Sequence, residues 1–181
     1  CGMLLGDMGA EVIRIDKLSG SEDRYLVPVA ESGEGPLFLA LNRNKKSLTL
    51  NPMKPKGREI VENLVKTADI VIANLPQPTL EAMGIDYDSL RAIKPDIILT
   101  TVTAYGNGGP YSERVGFDGV AQALAGATYM GGRPGDPMKS FVPFADFGTA
   151  TMAAFGTLSA LIERNKTCLL YTSPSPRDIR R

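Results

Sequence analysis

The carboxylate best placed to do chemistry is Asp146, in the run Pro143-Phe144-Ala145-Asp146-Phe147-Gly148. It stands in an apolar frame at the start of an Ala-rich helical pattern. Two roles fit it. As a helix N-cap it satisfies the first free backbone N–H groups. As a nucleophile it attacks an acyl carbonyl presented to it, chemistry open to a carboxylate when water is kept out. Asp118, in Gly116-Phe117-Asp118-Gly119, also precedes a helical pattern and is most simply an N-cap.

Two other features suit ligands. The segment Thr103–Pro110 holds Gly106, Gly108 and Gly109, which allow close backbone approach to a ligand or an ordinary tight turn. It is neither a Walker loop nor a G-x-G-x-x-G fingerprint, so a nucleoside triphosphate or nicotinamide site is not supported. The basic residues Lys17, Arg24, Arg43, Lys45 and Lys46 flank the first two strand patterns. They fit a phosphorylated ligand, and equally a solvated face. The chain has no histidine. That excludes Ser-His and Cys-His pairs and His-ligated metals within it, and no metal site is expected.

The elements that position these residues alternate. Glu11–Asp16 and Lys46–Leu50 alternate in and out as strands do, while Asp69–Ala73 and Asp96–Val102 are nearly continuous apolar runs. Lys56–Thr67 sets Ile60, Val61, Leu64 and Val65 on one helical face, with Pro52 and Pro55 at its approach. Asp88–Ile93, Asp118–Ala127 and Phe147–Arg164 read as further helices, the last with small residues suited to close packing. This alternation predicts an α/β fold, Rossmann-like, with a largely parallel sheet and flanking helices. Such sheets take ligands at the carboxyl ends of their strands, here Lys17–Arg24, Asn74–Thr79 and Thr103–Pro110.

Composition sets the outer limits. The 181 residues are 43% apolar and carry 20 basic against 20 acidic side chains, for a formal net charge of zero. No global field draws the chain to nucleic acid or an anionic membrane, and neither is an expected partner. No apolar run approaches the roughly 20 residues of a membrane span. Cys1 and Cys168 make no disulfide framework, which favours a reduced, cytoplasmic setting. Residues 168–181 (CLLYTSPSPRDIRR) shift abruptly to Ser, Pro and Arg and read as a non-native or disordered tail.

Several motifs in order resemble CoA-transferase family III, the CaiB/BaiF family. They are Leu5-Gly6-Asp7-Met8-Gly9-Ala10-Glu11-Val12-Ile13-Arg14-Ile15-Asp16, Asn42-Arg43-Asn44-Lys45-Lys46-Ser47 and Ala68-Asp69-Ile70-Val71-Ile72-Ala73-Asn74, followed by Ala104-Tyr105-Gly106, Gly116-Phe117-Asp118-Gly119-Val120-Ala121-Gln122 and Ala145-Asp146-Phe147-Gly148. The family includes formyl-CoA and carnitine CoA-transferases and alpha-methylacyl-CoA racemase.

The resemblance implies that residues 1–167 are an incomplete large domain, lacking its first strand and the small domain. It implies an interlocked homodimer and coenzyme A as a substrate, with no permanently bound cofactor. Asp146 becomes the nucleophile, passing CoA from an acyl-CoA to an acid through an aspartyl-CoA thioester. Lys17 falls near the nucleotide phosphates, and Leu50, Asn74, Leu75, Met83, Tyr105 and Gly106 fall along the CoA groove. Ala82 stands where an arginine is common, leaving one phosphate contact to Arg24, Arg43 or neither. The racemase branch has a histidine where this chain has Phe117, which cannot exchange a proton, so transfer is expected over 2-methylacyl-CoA racemisation. A third expectation is that these residues alone bind CoA weakly and turn nothing over.

Overall fold

The two alternating segments and the two apolar runs form two pairs of parallel strands. In the computed structural model, which describes residues 1–26, 30, 31 and 33–167, β1 (Val12–Asp16) pairs with β2 (Lys45–Thr49), Val12 facing Lys45 and Asp16 facing Thr49. β3 (Ile70–Ala73) pairs with β4 (Ile98–Thr101), Ile70 facing Ile98 and Ala73 facing Thr101. These are α/β elements with parallel pairing, as the alternation predicts. The contacts divide the chain into two compact units, Cys1–Leu64 and Val65–Arg181. The tail at 168–181 lies outside the described residues.

The first unit runs α1 (Gly2–Asp7), β1, a 3₁₀ turn (Glu22–Tyr25), α2 (Pro36–Leu41), β2 and α3 (Pro55–Val65). Leu5, Leu50 and Val61 are its buried apolar residues. Pro55 opens α3, where its missing N–H costs nothing. Gly57 is required there: a Cβ would lie 2.0 Å from the carbonyl oxygen of Asn51. The predicted apolar face of α3 is only partly used. Val61 and Val65 are buried, but Ile60 is exposed because the packing stripe is narrower than the apolar one.

The second unit continues β3, α4 (Gln77–Met83), α5 (Tyr87–Ile93), β4, α6 (Asp118–Leu124), α7 (Ala127–Met130) and α8 (Phe144–Thr167). Leu80, Leu90, Ile97 and Ile98 make its core. α5 starts earlier than its apolar pattern because Asp86 caps it, accepting from the Ser89 N–H at 3.1 Å. The helix expected over Asp118–Ala127 stops at Leu124, and Gly126 takes a left-handed φ of 78° before α7.

α8 seats on β4 through small and hydroxyl residues. Ala154 and Thr157 are buried, and the Thr100 and Thr157 hydroxyls meet at 2.6 Å. The Thr157 hydroxyl also donates to the Ala153 carbonyl at 2.7 Å. Near the helix end Arg164 pairs with Asp69 at 2.8 Å and reaches Asp96 at 3.7 Å. These contacts fix the helix that carries Asp146.

Candidate functional site

Asp146 is the third residue of α8, so it does not occupy the N-cap position expected of it. The capping is done by Asp118, from a different helix. Asp118 is the first residue of α6 and is 7% exposed. Its Oδ1 accepts from the backbone N–H of Ala145 at 2.9 Å and of Asp146 at 3.2 Å. Its own helix is preceded by Phe117, whose side chain makes no cap. Asp118 is therefore a cap, as the sequence suggests, but for α8.

This arrangement frees the Asp146 side chain. Asp146 is exposed in this chain, yet its carboxyl is held above the ordinary carboxylate range. Partial desolvation, which disfavours the ionised form, is the larger cause, and repulsion from the Asp118 carboxylate is the smaller. A carboxylate with raised proton affinity is also a stronger nucleophile than an ordinary one. The dipole of α8 acts the other way, because a helix N-terminus favours anions nearby.

The same unit gathers the other predicted ligand residues. Asn74 and Leu75 follow β3 directly, the first exposed and the second half-buried. The Val102 N–H donates to the Ala73 carbonyl at 3.0 Å, so both strands end at one level. Tyr105 and Gly106 follow from that end, Gly106 with a left-handed φ of 70°. Tyr105 meets Tyr111 edge-on at 5.6 Å, and Arg114 lies 4.4 Å over the Tyr111 ring. Met83 is half-buried at the last position of α4, a helix the apolar pattern does not reveal.

In the first unit the end of the β1–β2 pair opens a cleft of about 290 Å³ lined by Asp16, Lys17, Arg24, Tyr25 and Ser47 among others. Lys17 is exposed and ion-paired to the more exposed Glu22. Such a pair is weak and easily exchanged for a phosphate. Arg24 stacks on Phe38, 3.8 Å from the ring centre, and pairs with Glu34 at 3.2 Å. Arg43 is held by Asp7. Leu50 does not line this cleft. Its side chain is 7% exposed, and its N–H is spent on the Asp16 carbonyl at 3.1 Å.

A feature not anticipated from sequence lies behind the cleft. Arg14 donates to Asp16, to Asp23 at 2.7 and 2.8 Å, and to Asn42. The Asp23 pairing above all holds the Arg14 guanidinium charged. Burial alone would raise Asp16, but hydrogen bonds from Ser21 and Arg14 outweigh it and keep the carboxyl low. Polar residues spaced nine and twenty-eight apart gave no local signal for this cluster.

Comparison with known proteins follows this geometry. The profile of CoA-transferase family III matches residues 1–168. Human succinyl-CoA:glutarate CoA-transferase is 37% identical over 167 residues, which cover 91% of this chain and 38% of that protein. Formyl-CoA:oxalate CoA-transferase of Rhodopseudomonas palustris is 32% identical, covering 92% of this chain and 40% of that one. Among solved structures, a CaiB/BaiF family protein from Brucella suis superposes with a TM-score of 0.85 at 38% identity, over 92% of this chain and 45% of its own. A hypothetical protein from Mycobacterium tuberculosis also gives 0.85, at 32% identity, over 93% and 47%. The chain thus spans less than half the length of the relatives it matches.

Proposed function

The chain belongs to CoA-transferase family III, and from that premise we propose that the whole protein moves coenzyme A from an acyl-CoA to a carboxylic acid, with Asp146 as covalent nucleophile. The observation that carries this reading is the Asp118 cap, which anchors the start of α8 and leaves the Asp146 carboxyl unspent and raised. Named relatives act on succinyl-CoA with glutarate and on formyl-CoA with oxalate. They support short carboxylic acids, dicarboxylates included, as substrates.

The steps balance as follows. The Asp146 carboxylate attacks the thioester carbonyl, forming a mixed anhydride and expelling CoA thiolate. The thiolate attacks the Asp146 carbonyl and releases the donor acid, which leaves with one aspartate oxygen. The acceptor carboxylate attacks the aspartyl-CoA thioester and again frees the thiolate. That thiolate takes the acceptor acyl group and restores the carboxylate. No water enters, and no proton transfer at the alpha carbon is needed. Phe117, 81% exposed beside Asp118, offers none. This favours transfer over racemisation.

Coenzyme A is a substrate here. Lys17 binds its nucleotide phosphates, and Asn74, Leu75, Met83, Tyr105 and Gly106 line its path. The cleft beside Lys17 and the shared strand-end level of Asn74 and Tyr105 support these roles. The backbone N–H of Leu50 is spent, so its contribution is to hold the Asp16–Lys17 turn.

Residues 1–167 act as part of a large domain, within an interlocked cytoplasmic homodimer. Highly exposed Phe141, Tyr129 and Met130 support coverage by further polypeptide. Among the described residues no helix is long and apolar enough to cross a membrane. Turnover by a monomer of these 181 residues alone would contradict this arrangement.

The test is chemical trapping. The whole protein is incubated with acyl-CoA, quenched with hydroxylamine and mapped by peptide. A hydroxamate at Asp146, with activity lost in Asp146→Ala, is the expected result. No adduct there, with the alanine variant still turning over, overturns the assignment.

A further inference from the structure

Gln122 lies one turn beyond Asp118 on α6 and is 1% exposed. A buried primary amide must satisfy two N–H donors and one carbonyl, or pay for each group left unpaired. Its partners converge on one stretch of chain. Nε2 donates to Asp118 Oδ2. It also faces the carbonyls of Val142 and Ser140 at 3.4 and 3.5 Å, the weak end of hydrogen bonding. Oε1 accepts from the Ser140 N–H at 2.8 Å. The Ser140 hydroxyl oxygen accepts from the Val142 N–H at 3.2 Å. The segment Ser140–Val142 leads directly into α8, whose first N–H groups Asp118 holds.

The chemistry of the partner is informative. The partners of Asp118 are an amide and two backbone N–H groups, none of them cationic. A lysine or arginine at 122 would pin Asp118 and also cancel its charge. The glutamine pins it and leaves the charge in place, to act on the nearby Asp146 carboxyl. An apolar residue would fill the core without doing either.

We propose that Gln122 is a positioning residue for Asp146, acting through Asp118 and the Ser140–Val142 segment. The proposal rests on Asp146 being the nucleophile. Gln122 touches no substrate. It sets where α8 begins and holds the Asp118 carboxylate in place without pairing it to a cation.

The test uses Gln122→Glu and Gln122→Met in the whole protein, assayed under conditions where each remains folded by circular dichroism. Gln122→Glu keeps an acceptor for Ser140 but sets a second carboxylate against Asp118. Its kcat is expected to fall about tenfold, a modest case of the loss that misplacement causes, with KM for acyl-CoA within about twofold. The acid limb of its rate profile is expected to move to higher pH, because more negative charge favours protonated Asp146. Gln122→Met is expected to lose similar kcat without that upward move, and it decides the matter where the glutamate variant does not fold. Unchanged kcat in the folded variants, or a rise in KM alone, overturns the proposal. Hydroxylamine trapping separates it from its premise: no adduct at Asp146 in the unaltered protein removes both. An adduct at Asp146 with indifferent Gln122 variants removes only the role of Gln122.

Discussion

The strand ends of the first unit and the start of α8 in the second handle charge in opposite ways. Around β1 and β2, cations meet anions: Arg14 with Asp16 and Asp23, Lys17 with Glu22, Arg24 with Glu34, Arg43 with Asp7. The Arg14 and Arg24 pairs are part-buried, whereas Lys17–Glu22 is open to solvent, where a pair contributes little and exchanges readily. At α8 two carboxylates, Asp118 and Asp146, lie together, and Asp118 is fixed by neutral donors. The first arrangement suits a charged ligand that replaces an existing partner. The second maintains proton affinity in one carboxyl and does not discharge it. Under the proposed function, binding and bond-making would fall on different kinds of electrostatics within one chain.

The sharpest way to break that contrast is Asp146→Asn. Loss of the proposed nucleophile is expected to reduce CoA transfer by about 10³-fold or more, measured as kcat in the whole protein. Stability is expected to move the other way. The folded state raises this carboxyl, so it holds the proton more tightly than the unfolded chain does. The ionised side chain therefore weakens the fold above the raised value, and the penalty fades as pH falls below the ordinary aspartate range. The asparagine variant should melt slightly higher at neutral pH, with the gain gone in acid.

Asp118→Asn is the next largest perturbation. It keeps an oxygen for the Ala145 and Asp146 N–H groups but removes the charge. A fall in kcat of about 30-fold is expected, larger than for Gln122→Met because the cap itself is weakened. The acid limb should move to lower pH, since the negative neighbour that raises Asp146 is gone. An upward move would contradict the like-charge account of this site.

Changes in the first unit should act on KM. Lys17→Ala and Arg24→Ala are each expected to raise KM for acyl-CoA about threefold to tenfold with kcat unchanged, the effect diminishing at high salt. A fall in kcat without a change in KM would erase the distinction between the two regions. Smallest is Glu22→Gln, which releases Lys17 from its ion pair. KM is expected to fall about twofold or less, with no change in melting temperature.

How much of this was legible depended on how far apart the cooperating residues lie. Two strands were visible as alternating patterns and two as nearly continuous apolar runs, and their parallel pairing follows from the helical segments between them. Asp146 was visible as a carboxylate in an apolar frame beside a helix. Its place within the first turn was not, because the true cap comes from Asp118, 27 residues before Ala145. No periodicity reports a cap across that distance. Gln122 was hidden for the same reason: an amide on an Ala-rich helix looks like a solvent-facing residue until its partner segment folds over it. α4 was not expected from sequence because it is short and shows no apolar stripe; its prolines sit at the cap and in the first turn, where proline is tolerated. The apolar face of α3 was read too wide, since Ile60 faces solvent.

The role of Asp146 is most directly measured by the fate of oxygen. The whole protein is cycled once with acyl-CoA and an acceptor acid whose carboxylate carries heavy oxygen, then digested and weighed peptide by peptide. If Asp146 passes through both anhydrides, one heavy oxygen ends in the Asp146 side chain and in no other peptide. An Asp146 peptide of unchanged mass after complete CoA transfer would contradict the covalent role given to it here.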